Sequence, residues 1–340
     1  MDKHHLNIVV GEKFDPSERP WFTCNLQSRQ IPSDQVNAVA TRMISYGGFG
    51  KVFELVFPNG DRFAAKMSNH KSRSVDVCRQ RQAALREEAL FLQMLTNAEF
   101  KYAPQFHSFS FIYGVEPVIM MELMGNDLGF LVKNPKVSKM SDQSISVAAR
   151  DMLLSALSGM HALGFCVRDV KLENFCAVRA DDDSMVRVKL VDFGMVIGYS
   201  WTQVRDCDFN NEALEAGTNI CGTLPFIPRA GYLNTSVAPY DDLESFFYQL
   251  MRLFGQNVSW YKLRYYETYC QKVEFWDDQS MMLINSFLTS CFHLIRVTKR
   301  SSSVAYKTVV SELHEAIRAY AQLYGTSNTM FTIEKPRPCQ

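Results

Sequence analysis

One octapeptide constrains this chain more than any other stretch: Val167-Arg168-Asp169-Val170-Lys171-Leu172-Glu173-Asn174. An aspartate, a lysine two residues on and an asparagine five residues on bring three different chemistries into one loop. Each has a task when a phosphoryl group moves. The carboxylate accepts the proton of an attacking hydroxyl, the ammonium steadies charge on the transferred group, and the amide oxygen binds a metal. A polar loop after a helix is the plain alternative, so the weight falls on whether the remaining parts of such a site occur in order around it.

The frame is large enough to hold one. A chain of 340 residues exceeds an average domain and suits two lobes, and 47% hydrophobic content excludes global disorder. Lys+Arg and Asp+Glu both total 36, so the net charge of zero gives no sign of a nucleic-acid or membrane-surface partner. The nine cysteines are widely and irregularly spaced, with no C-x-x-C, which points to reduced thiols and not to a zinc site. The first apolar run, Ile8-Val9-Val10, is too short for a signal segment, and no run approaches the ~18 residues of a membrane span. These features predict a soluble intracellular protein, cytoplasmic or nuclear, acting as a monomer.

Residues 1–37 carry loop formers (Gly11, Pro16, Pro20, Pro32) and read as an N-terminal extension that adds a strand or wraps the first lobe. From Val36 the pattern is β-like up to Gly47-Gly48-Phe49-Gly50, and Lys51 to Phe57 alternates before Asn59-Gly60, a hairpin signal that makes Arg62–Met67 the returning strand. A glycine-rich turn between two strands lets backbone amides approach phosphates. Lys66 lies sixteen residues beyond it on an apolar strand. Val75–Thr96 reads as a helix on which Glu88, in register with Leu85, Leu92 and Leu95, is the better partner for Lys66 and Glu87 the competitor.

Two further strands, His107–Tyr113 and Val118–Leu123, precede a change from strand-rich to helix-rich sequence near Gly125. Ser141 reads as the cap of a long helix to Met160, ended by Gly164. A hairpin around Asp181-Asp182-Asp183 then delivers Asp192-Phe193-Gly194, 23 residues after Asp169. Helices are expected over 281–295 and 304–324, followed by a Pro-rich tail.

In that order the parts resemble the protein kinase superfamily from about residue 38 to 320. Cys221-Gly222-Thr223 and Asp241-Asp242-Leu243-Glu244-Ser245 are similar to the casein kinase 1 group, which includes the tau-tubulin kinases. The resemblance implies an α+β fold of two lobes, a small antiparallel sheet with one main helix and a larger, mainly helical lobe. Its bounds are an extension over 1–37, the lobes over 38–124 and 125–324, and a tail over 325–340. It implies ATP and Mg²⁺ as cofactors and proteins with Ser/Thr hydroxyls as substrates. By the same resemblance Asp169 would be the base, accompanied by Lys171 and Thr223, with Lys66 positioned by Glu88. Asn174 and Asp192 hold the metal. Ile44, Gly47, Gly48, Phe49, Gly50, Val52, Ala64, Lys66, Met121, Glu122 and Met124 bind the nucleotide, with Met121 as gatekeeper and the Glu122 carbonyl and Met124 amide facing adenine.

An aspartate at position 242, opening a helix apolar on nearly all faces, suits holding the catalytic-loop backbone. The departures are Ser45 for the first loop glycine, Val167 for the usual histidine, and Pro225 for an arginine that assists primed substrates. They keep open the alternative of a catalytically weak or inactive scaffold of the same fold.

Overall fold

A computed structural model describes residues 5–10, 22–27, 36–46, 50–68, 75–112, 116–133, 142–179, 188–209, 221–233, 235–256 and 258–323. The chain forms two compact units, Met1–Met124 and Gly125–Gln340.

The first unit is built on strands β1 (His5–Val10), β2 (Phe22–Gln27), β3 (Val36–Tyr46), β4 (Gly50–Val56), β5 (Arg62–Ser68), β6 (Phe106–Ile112) and β7 (Glu116–Glu122), with helix α1 (Val75–Asn97) between β5 and β6. Period-two alternation puts Phe53, Leu55 and Phe57 on one face with Ala38, Ala40, Ala65, Val118 and Met120 as the buried core. On the other face buried Glu54 is paired by Arg42 and Arg62. The turn at Asn59-Gly60 is closed by Gly60 at φ +89° and by a 2.9 Å bond from the Phe57 amide to the Asp61 carbonyl. In α1 the buried residues Leu85, Glu88, Ala89, Leu92 and Leu95 recur at helical spacing.

The N-terminal residues do more than extend this unit. β1 pairs antiparallel with β2 and parallel with β6, so the sheet closes as a barrel in the order β1-β2-β3-β4-β5-β7-β6. Closure satisfies the backbone groups that a small open sheet leaves unpaired at its edges. The sheet is therefore antiparallel apart from the β1–β6 contact.

The second unit is mainly helical. It comprises α2 (Leu128–Lys133), α3 (Asp142–Arg150), α4 (Ser158–Ala162), α5 (Pro239–Leu253), α6 (Tyr265–Asp277), α7 (Ser286–Arg296) and α8 (Ser303–Leu323), with short ladders β8 (Phe165–Cys166) to β11 (Ile197–Gly198) and β9 (Phe175–Ala177) to β10 (Val188–Leu190). The single helix expected to Met160 is interrupted by a π-helical stretch, Asp151–Leu157. In this wider turn Asp151 is buried and accepts bonds from the Arg150 guanidinium and the Val188 amide. Ser141 and the acidic triplet 181–183 lie outside the described residues. The helix expected from Met281 starts later, at Ser286, because the Asn285 side chain accepts the Leu288 amide at 2.8 Å and caps it there.

α5 is the axis of the unit. Every one of its residues is buried except Arg252, which is half-buried. Its Phe247 packs against Trp276 and Phe292, which stack on each other with centroids 5.0 Å apart. Among the described residues no disulfide occurs, and no helix is long and apolar enough to cross a membrane.

Candidate active site

In the first unit β5 carries Lys66 and α1 carries Glu88, both buried, with Nζ 2.6 Å from Oε1. Glu87 is exposed; one helical position decides which carboxylate faces the sheet. Within the ladders Lys66 lies opposite Val52 and Ala64 opposite Met121. Ala64 is buried, Val52, Met121, Glu122 and Met124 are half-buried, and Ile44 is exposed. The Glu122 amide donates to the Gln105 carbonyl at 2.9 Å, and its carboxylate accepts the Gln105 amide at 3.0 Å. Gly50 has a packing reason of its own: a Cβ there would stand 2.2 Å from the Met67 carbonyl oxygen. Gly47, Gly48 and Phe49 lie outside the described residues.

The second unit assembles the loop that carries Asp169. Gly164 at φ +88° ends α4 and turns the chain into β8. Buried Asp242 of α5 accepts the Val167 amide at 2.7 Å and the Arg168 amide at 2.9 Å, and its Oδ2 lies 2.8 Å from His161 Nε2. Arg168 is held in the left-handed region at φ +65°. Its guanidinium donates to the Met195 carbonyl at 2.6 Å and to the Cys221 sulfur at 3.3 Å. Val167 and Phe193 are both buried.

Asp169 then meets its partners. Lys171 Nζ lies 2.6 Å from Asp169 Oδ2, the Thr223 hydroxyl donates to Oδ1 at 2.8 Å, and Lys171 also donates to Thr223 Oγ1 at 3.1 Å. Gly222 makes this approach possible. It has φ +103°, and a Cβ on it would stand 2.8 Å from the Arg168 carbonyl and 3.5 Å from Asp169 Oδ1. Asn174 closes the 3₁₀ turn Leu172–Asn174 and donates through Nδ2 to the Asp169 carbonyl at 2.9 Å. Its amide oxygen is not used by that bond. Asp192 sits at φ +65°, its Oδ1 3.4 Å from the Gly194 amide. A carboxylate and an amide oxygen are the hard donors that Mg²⁺ takes, so the donor set fits that ion.

His161, Cys166 and Asp242 also bring ligand-type atoms within 4.8 Å of one another. Their atoms are already engaged. Both Asp242 oxygens accept backbone amides, and the His161 nitrogens contact Asp242 and the Tyr306 hydroxyl. Burial and the nearby carboxylates push the Cys166 thiol up, away from the thiolate a metal would need.

Several supports of this site left no mark in the sequence pattern. Arg300 makes a bidentate pair with Asp241. Arg229 bonds Glu244, which also accepts the Tyr248 hydroxyl. Lys272, fully buried among Tyr232, Tyr248 and Trp260, donates to the Ile227 carbonyl just beyond Thr223. Burial drives its ammonium well below lysine's ordinary range, against the opposing pull of Glu244. The only local signal was the Asp241-Asp242 doublet, which hid two different partners.

Comparison with known proteins accords with this geometry. The protein kinase domain family matches residues 39–228. Casein kinase I homolog 1 of Schizosaccharomyces pombe is 24% identical over 224 residues, a match that spans 66% of this chain and 46% of that relative. The chain thus aligns with less than half the length of that relative. Among solved structures, vaccinia related kinase 3 has a similar fold, with a TM-score of 0.60 at 16% identity over 85% of this chain and 88% of the other. The chain belongs to the protein kinase family, as a divergent member similar to casein kinase 1.

Proposed function

We propose that this chain is an ATP-dependent serine/threonine protein kinase that transfers the γ-phosphoryl group of Mg-ATP to protein hydroxyls. The observation that carries the reading is the closed set formed by Asp169, Lys171 and Thr223, with Oδ1 on the threonine hydroxyl and Oδ2 on the ammonium. Asp169 takes the proton of the attacking hydroxyl, and Lys171 offsets charge as it develops on the transferred group. Thr223, bonded to both, fixes their mutual orientation and supports a serine or threonine acceptor. Lys66, anchored by Glu88, pairs with the α- and β-phosphates. The adenine contacts fall to Ile44, Val52, Ala64, Met121, Glu122 and Met124, and the phosphate-covering turn to 47–50. Asn174 and Asp192 would hold Mg²⁺, which would supply charge neutralisation at the phosphates.

The competing reading, a scaffold of the same fold without turnover, draws on Ser45, Val167 and Pro225. Val167 is buried, so an apolar side chain fills the place of the expected histidine. Transfer of radiolabelled phosphate from ATP to dephosphorylated casein separates the two. The kinase reading expects turnover by the wild type and a fall of at least about 10²-fold in Asp169→Asn. Equal, background-level transfer by both folded proteins leaves the scaffold.

A further inference from the structure

Arg252 is the one residue of α5 that is not fully buried, and it stands at a junction. Its Nη2 and Nη1 donate to the two carboxylate oxygens of Glu173 at 2.9 and 3.2 Å. Nη1 also donates to Gln249 Oε1 at 2.8 Å, and the same oxygen accepts the Leu172 amide at 3.1 Å. The other side of the guanidinium lies over the Phe226 ring, 4.7 Å from its centroid. Leu172 and Glu173 lie between Lys171 and Asn174, in the loop that carries Asp169. Phe226 follows Thr223 by three residues and is tied to it through an amide bond of 2.8 Å.

We propose that Arg252 is a positioning residue that couples the Asp169 loop, through Glu173, to the 223–228 segment, through Phe226, and so sets the affinity for the protein acceptor. This rests on the kinase reading for its functional half. Thr223 lies against Asp169, so the segment behind it borders the place where an acceptor hydroxyl must come. Two straps then join loop and segment, Asp169 to Thr223 on one side and Glu173 to Phe226 on the other. A planar fork with an aromatic-facing surface suits the second strap, because it bonds a carboxylate in its plane and stacks across it.

Two further observations fit. Gln249 is buried, and its Nε2 has no partner among the described residues while its Oε1 serves both Leu172 and Arg252. A buried donor without a partner costs free energy, against which the two bonds to the neighbouring oxygen weigh. Gly129 in α2 leaves room for Glu173: a Cβ there would stand 2.7 Å from the Glu173 carboxyl carbon. Lys133 of the same helix completes the carboxylate's surroundings at 3.1 Å.

The test is amide exchange by mass spectrometry on the full chain, with Arg252→Met, Arg252→Lys and Gly129→Ala, followed by kinetics. Arg252→Met should speed exchange about tenfold or more in peptides covering both 168–175 and 222–228, with α7 unchanged. Arg252→Lys should restore part of the protection, and Gly129→Ala should loosen the same two segments by displacing Glu173. In turnover, the acceptor KM for dephosphorylated casein should rise several-fold in Arg252→Met, with the ATP KM within about twofold of wild type. A change confined to one segment, or to neither, overturns the proposal. So does a rise in the ATP KM equal to that in the acceptor KM. If Arg252→Met also loosens α7, the decision passes to Arg252→Lys, where a coupled rise supports the strap and no rise overturns it. A wild type that transfers no phosphate would refute the kinase reading, while the exchange experiment would still decide the coupling.

Discussion

Lys66 and Asp169 are held by opposite strategies. In the first unit a buried ammonium on β5 meets a buried carboxylate on α1, side chain to side chain. In the second unit the side chains of α5 hold a backbone: Asp242 takes the amides of Val167 and Arg168, and Gln249 takes that of Leu172. The difference matters because a side-chain pair can be replaced as a unit by apolar groups, whereas backbone donors cannot be mutated away. On the proposed kinase reading, the Lys66–Glu88 pair should be expendable for folding and needed for phosphate transfer. On the same reading, the anchorage by α5 should be needed for both.

The sharpest way to break this comparison is Asp242→Ala. It orphans the Val167 and Arg168 amides and one nitrogen of the buried His161 ring, and should lower unfolding free energy by about 3–5 kcal/mol in a denaturant titration, with phosphate transfer abolished. A loss below about 1 kcal/mol would show that the loop is carried by other contacts. Next comes the first unit. Lys66→Met alone should destabilise by as much as about 3 kcal/mol because Glu88 is left buried and charged. Lys66→Met combined with Glu88→Leu should regain most of that in the same titration while phosphate transfer stays lost. Recovery of neither stability nor activity would mean that the pair is structural.

The smallest effect is a pH dependence at Glu173. Burial pushes this carboxyl up, but hydrogen bonds and charge from Arg252, its own backbone amide and Lys133 outweigh that and bring it to about 2 from an ordinary 4.5. A depressed carboxyl contributes stability that is fully present above about pH 4.5 and is lost as pH falls through about 2. Arg252→Met removes the largest opposing influence, so its carboxyl titrates at higher pH. The stability gap between wild type and variant should be full above about pH 5 and shrink in acid, as read from denaturant midpoints between pH 3 and 7. A gap that is constant across that range would assign the contact to packing on Phe226 alone.

Much of this was legible in order along the chain. The Asn59-Gly60 hairpin, the α1 stripe and the choice of Glu88 over Glu87 follow from periods of two and 3.6, which are local properties. That the N-terminal extension adds a strand was one of two readings left open; that it supplies two and closes the sheet was not legible, because closure depends on β6 some hundred residues away. The π-helical stretch at 151–157 was hidden for the same reason. Its apolar spacing continues that of α3, and only the partners of buried Asp151 mark the change. Met281–Asn285 looked helical by pattern, yet the cap at Asn285 prevailed.

The sequence by itself determined the chemistry: an aspartate, lysine and asparagine in one loop, a second aspartate before Phe193-Gly194, and a lysine on a strand with a glutamate on the next helix. Residue type and spacing suffice there because the loop groups lie within five residues of one another and Lys66 and Glu88 sit on consecutive elements. Only the tertiary structure decided the backbone on which that chemistry stands. Arg168 adopts a left-handed angle that its residue type does not favour, and Asp192 one that aspartate tolerates but does not dictate. Arg300 reaches Asp241 across 59 positions, and Arg252 reaches Glu173 across 79. Such pairs form because a buried charge or amide must find a partner wherever the fold brings one within reach, and no local pattern records where that is.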